Sequence, residues 1–165
     1  MSTERPLTGA RGALLDEYER AIEELKRAIA DVDDAALAFV LYPEDDDPNC
    51  RGIASILEHV VRAGHLYPTF IRRKRAGDPS LTPPTRSGPV TAAAFSAALD
   101  EVFQHTVAVL STVPEDEMSL KALDQLVVAP WGQRFDYDQL MEHAIVHILR
   151  HRRQIERCKR ELAAR

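Results

Sequence analysis

Three of the six histidines fall where helical periodicity calls for hydrocarbon. Residues 140–162 set Leu140, Ala144, His147, His151, Ile155, Cys158 and Leu162 at alternating three- and four-residue spacings, which is one face of an α-helix. His147 and His151 are four apart, so their Cβ atoms lie about 6 Å from each other and the two imidazoles can converge on one ion. A second helical segment, about 52–75, has inward positions Gly52, Ile56, His59 or Val60, Ala63, Tyr67 and Phe70. His59 therefore lies on or beside that seam, with small Ala63 and Gly64 leaving room for a bound group.

The chemistry follows from burial. An imidazole taken from water without partners costs roughly 1 to 3 kcal/mol, and three in one interior need compensation. A divalent cation held by three neutral nitrogens supplies it. Three protein ligands also leave a coordination position for water, hydroxide, a thiolate or a substrate oxygen, with a lowered pKa for the bound acid. On spacing alone, core histidines satisfied by other partners fit the same pattern, so both readings stand at this point.

Other residues are weighed against this triad. His143 precedes His147 by four but is turned about 80° from His151 by the 3.6-residue repeat, so it is a neighbour of the ligands rather than a ligand. Tyr67 is a candidate pocket hydroxyl, and Trp131 either walls the pocket or anchors its loop. His65 and His105 have no nameable partner and read as surface or satisfied core. Cys158 lies roughly 10 Å along the axis beyond His151 and reads as core packing. Cys50 is either a reactive thiol or a partly buried inert one. No catalytic residue is assigned.

Four amphipathic segments must position these groups. The first, about 11–30, carries Leu14, Leu15, Tyr18, Ile22, Leu25 and Ile29 on one stripe. A loop at 31–49 leads to the second, in which Pro68 is expected to kink rather than end the helix. The connection 76–90 is punctuated by Gly and Pro and is long enough for a crossover. The third helix begins after Thr91, a good N-cap, and stops before Pro114 with Phe95, Leu99, Val102, Phe103, Val107 and Leu110 on its stripe. A connection at 115–135 holds a short helix around 119–126 and a turn at Pro130-Trp131-Gly132; the last helix starts near Asp136 or Asp138. No segment alternates as a strand. These are the ingredients of an all-α fold, an antiparallel four-helix bundle, forming one domain over 1–165 with a core about 11–162.

Composition narrows the function classes. A chain of 165 residues with 45% hydrophobic and 28% charged residues reads as globular. A formal charge of −5 argues against nucleic-acid binding driven by phosphate neutralisation. The basic runs Arg72-Arg73-Lys74-Arg75 and 150–160, and the acidic run 44–47, read as solvated faces or loops. No stretch approaches the ~18 apolar residues of a spanning helix and the N-terminus has no signal pattern, so no membrane association and a cytoplasmic location are expected. Two cysteines are too few for a disulfide framework and are expected to be reduced.

The chain resembles the DinB/YfiT superfamily of small bacterial helical metalloproteins. Ser55-Ile56-Leu57-Glu58-His59-Val60 is similar to the family's segment in which a histidine follows an apolar pair. The stretch from His147 through His151 to Gln154-Ile155 looks like the family's His-x-x-x-His followed by Gln-Ile, and Pro130-Trp131-Gly132 with 135–140 resembles the approach to its last helix. The resemblance implies a four-helix bundle of up-down-down-up connectivity, zinc or nickel on His59, His147 and His151, and a homodimer. For some members it implies a transferase or isomerase using mycothiol, bacillithiol or glutathione, the thiol taking the open metal position beside a small-molecule substrate. The alternative is a non-catalytic, stress-related bundle in which the metal is structural or absent. The chain departs from the family at Arg150, where many members have a histidine; the triad is untouched, but a specific activity does not carry over.

Overall fold

The computed structural model describes residues 8–85, 90–119 and 122–165, and it is all-α apart from one small hairpin. The described residues form five α-helices: α1 (Gly9–Ile29), α2 (Asp34–Ala38), α3 (Ile53–Ala76), α4 (Ala92–Leu110) and α5 (Tyr137–Ala163). The four long ones fall where the apolar stripes predict them.

Their ends have local causes. The Thr91 hydroxyl accepts from the Ala94 N–H at 3.1 Å to start α4. Asp136 and Gln139 exchange reciprocal hydrogen bonds with each other's backbone N–H groups, 2.8 and 3.2 Å, to start α5. α3 runs unbroken through the buried Pro68 and ends at Gly77, whose φ of +64° suits a residue without Cβ.

Three expectations about the connections need correction. The loop at 31–49 contains α2, started by the Asp33 carboxylate accepting from the Ala36 N–H and anchored by buried Leu37; five residues are too few to display a 3.6-residue period. A strand pair does form: β1 (Val127–Val128) lies antiparallel to β2 (Arg134–Phe135), Val127 opposite Phe135 and Val128 opposite Arg134, closing on the predicted turn at Pro130-Trp131-Gly132. Two residues per strand carry no alternation to detect. Of the short helix expected at 119–126, a single 3-10 turn, Leu123–Gln125, is seen, and residues 120–121 lie outside the described residues.

α1 packs against α4 and α5, and α3 packs against the same two. All four contribute to one core, for example Tyr18 and Ile22, Ile56 and Leu57, Phe95 and Leu99, Leu140 and Ile155. α3 and α4 approach closely at Gly64, where an added Cβ would lie 2.6 Å from Val102 Cγ1. Gly64 therefore serves helix contact on the α4 side and does not make room beside His59 as expected; Ala63 does face the cavity there.

The basic residues of both runs are exposed or partly exposed, as expected, and several also bridge elements. Arg75 donates to the Thr112 carbonyl at 2.6 Å and pairs with Glu117, while Lys74 reaches the Asp124 carbonyl. Arg152 and Lys159 pair with Glu24 and Asp31, fastening α5 to α1. No helix among the described residues is long and apolar enough to cross a membrane.

Candidate metal centre

Packing of α3 on α5 brings His59 against His147 and His151. The His147 Nε2 lies 2.8 Å from His59 Nε2 and 3.1 Å from His151 Nε2, and the ligand atoms of all three lie within 4.8 Å of one another. Ring centroids are separated by 4.3 to 4.9 Å. Between two ligands of a tetrahedral zinc with bonds of about 2.0 to 2.1 Å the separation is about 3.3 Å, near the 3.1 Å contact and longer than the 2.8 Å one, so the rings would part slightly to admit the ion. These three histidines can hold a divalent cation.

Protons cannot satisfy the same group. Each ring nitrogen offers one N–H or one lone pair, so His147 Nε2 can complete a hydrogen bond with one facing nitrogen and is left opposed to the other. A cation accepts all three lone pairs at once. The environment favours neutral rings: burial, helped by the His151, His59 and His143 rings and the Arg150 guanidinium, pushes His147 down to about 3. Burial and His59 push His151 down to about 4, and burial with Arg62 holds His59 below its ordinary value. His151 is 6% exposed, whereas His59 and His147 are half-buried and face outward into a cavity.

That cavity measures about 380 Å³ and is lined by the triad together with Tyr67, Phe70, Trp131, Arg62 and Arg150 among others. His143 lines it too, but its ring centroid is 6.4 Å from that of His147 and it stays outside the group of three. It is stacked on Trp131 at 5.6 Å and edged by Tyr67 at 5.6 Å. Trp131 fulfils both expected roles, walling the cavity and anchoring its hairpin through an Nε1–H donated to Gln133 at 2.7 Å. The Tyr67 ring is 5.7 Å from that of His147, and burial pushes its phenol well above the ordinary value, so the hydroxyl stays protonated.

Several lining residues escape the sequence pattern. Arg62 and Asn49 join at 2.7 Å on the rim, beside the His59 ring. Asp47 accepts from the Asn49 backbone at 2.9 Å and from the Cys50 thiol at 3.5 Å. Cys50 lines the cavity, yet burial first and then Asp47 raise its pKa and keep it a thiol, favouring the inert alternative. Gln154, one turn past His151, extends its amide to Cys50 Sγ at 3.9 Å; its Oε1 and the His151 Nδ1 are both buried without a hydrogen-bond partner. The helical spacing 151 to 154 could have flagged Gln154, whereas residues 47–50 come from a loop with no period to follow.

Cys158 is buried core, as expected. His65 and His105, for which the sequence names no partner, meet each other across α3 and α4 with Nδ1 atoms 3.2 Å apart. No family model, no curated protein and no solved structure matches this chain.

Proposed function

We propose that the protein is a metal-dependent enzyme of the DinB/YfiT type, a four-helix bundle of up-down-down-up connectivity in which His59, His147 and His151 hold zinc or nickel and a low-molecular-weight thiol joins a small-molecule substrate at the open face. The observation that carries this reading is the convergence of three neutral Nε2 atoms at the floor of a cavity. A closed structural site has no use for such a cavity, which favours the catalytic reading over a metal that only cements the helices. The connectivity has support in the long link at 77–91 between α3 and α4, helices that pack side by side; a short turn suffices for antiparallel neighbours, and a parallel pair needs the longer path.

When bound, the cation supplies Lewis acidity and lowers the pKa of a thiol or water in the fourth position. The chain supplies the rest. Three imidazoles, kept neutral by burial, present lone pairs; Tyr67 offers a protonated hydroxyl beside His147; Trp131, Phe70 and Tyr67 exclude water from one side of the cavity. A cytoplasmic setting, where such thiols are kept reduced, and a homodimeric state belong to the same proposal.

The test is a cobalt-substituted sample titrated with mycothiol, bacillithiol or glutathione. A new sulfur-to-metal absorption band is the expected result. An unchanged spectrum with all three removes the thiol from the proposal, and a sample that takes up no cobalt removes the metal.

A further inference from the structure

Charge around the cavity is unbalanced in a way that selects a ligand. Arg62 and Arg150 both line it, and no carboxylate among the described residues lies within ion-pair distance of either. Arg62 is oriented on the rim by Asn49 Oδ1 at 2.7 Å, which occupies one of its five N–H groups. Asp47 is the one acidic residue among the described lining, and its oxygens are committed to Asn49 at 2.7 and 2.9 Å and to the Cys50 thiol at 3.5 Å. Two guanidinium groups therefore face a site that is to receive a divalent cation, with a single engaged carboxylate to set against them. The lining also includes apolar surface from Leu66, Tyr67, Phe70 and Trp131. Pockets for small organic molecules span about 300 to 1,000 Å³, so a cavity of about 380 Å³ takes a compact one.

We propose that this cavity takes a small organic carboxylate, its acidic head held between Arg62 and Arg150 and its apolar body laid against Tyr67, Phe70 and Trp131. The planar guanidinium matches a carboxylate in geometry as well as charge, and its two parallel N–H groups give the paired hydrogen bonds a lone ammonium cannot. The inference names the substrate class of the proposed metal site and rests on that reading for its catalytic meaning, although the arginines bind the acid whether or not metal is present.

The experiment titrates phenylacetate, phenylacetamide and phenethylamine into the full chain, chelator-treated and zinc-loaded, with wild type, Arg62→Gln, Arg150→Gln and the double variant followed by calorimetry. In both metal states the acid should bind about tenfold or more tighter than the amide, with the amine weakest. Each single variant should lose severalfold in acid affinity and keep its amide affinity, which also shows that the fold is intact. The inference is overturned if acid and amide bind alike, if the acid does not bind at millimolar concentration, or if the double variant keeps the preference. A preference that exists only with zinc loaded also overturns it, since the cation would then be the anion receptor. Histidine variants that hold zinc as well as wild type does would defeat the metal reading while leaving the acid preference standing, so the two failures are distinct.

Discussion

His59 and His147, 88 positions apart in the chain, hold their Nε2 atoms 2.8 Å from each other, and His147 faces His151 in the same way at 3.1 Å. His147 is the nitrogen common to both contacts. Wild-type protein should retain about one zinc per chain. His59→Ala, His147→Ala and His151→Ala should each bind it at least ~100-fold more weakly, beyond the roughly 10- to 100-fold loss typical of removing an outer partner. Elemental analysis with chelator competition measures this, and equal metal content in all four proteins would sink the central proposal.

Proton competition should set in late. Imidazoles with the ordinary pKa of about 6.5 would lose affinity as pH falls below that value. Burial moves the folded-state values down, to about 3 for His147 and about 4 for His151. Zinc affinity should therefore stay nearly level from neutral pH to about 5.5 and drop as pH nears about 4. A midpoint at about 6.5 in a competition titration would show that the rings behave as solvated imidazoles.

Gln154 should act through His151. With His151 Nδ1 and Gln154 Oε1 both buried and otherwise unpartnered, an Nδ1–H donated to that oxygen would fix the tautomer that turns the Nε2 lone pair toward the site. Gln154→Leu should weaken zinc binding roughly 10- to 100-fold while Gln154→Glu retains most of it. Identical affinities for wild type and the leucine variant would exclude this role.

The His65 and His105 pair should make the fold acid-sensitive. Burial first, then the neighbouring His65 and Arg72, push His105 down to about 4, and burial lowers His65. Because the unfolded chain then binds protons more readily, the stability these rings contribute is complete above about pH 6.5 and is lost as pH falls toward 4. Melting curves of metal-free protein should show Tm declining across that window, and less steeply in His105→Gln. The same slope in both proteins would assign the acid sensitivity elsewhere, the triad included.

Gly64→Ala should destabilise by about 1 to 3 kcal/mol, because its Cβ would meet Val102 Cγ1 at 2.6 Å and a β-branched side chain in a helix has little freedom to turn away. For a chain of this size each kcal/mol shifts Tm by roughly 2 to 4 °C. Zinc content should not change, since Gly64 faces α4; an unaltered Tm would mean the helices part without cost.

What the sequence determined by itself is the part governed by local periodicity. The stripes of α1, α3, α4 and α5 and the placement of His147 and His151 on one face follow from 3.6 residues per turn, and the Thr91 and Asp136 ends follow from side chains that reach their own backbone. Tertiary structure decided everything that needs two elements to meet. Whether His59 or Val60 held the seam was undecided until the helices packed, which buries Val60 and leaves His59 half-buried and facing the cavity. The pairing of His65 with His105, the turn of Gly64 toward Val102, and the gathering of Asn49, Arg62 and Arg150 around one opening likewise depend on how helices rotate against their neighbours. A helical repeat specifies a face but not the partner that covers it, because the rotation and register of packed helices come from side-chain interlocking between segments distant in the chain.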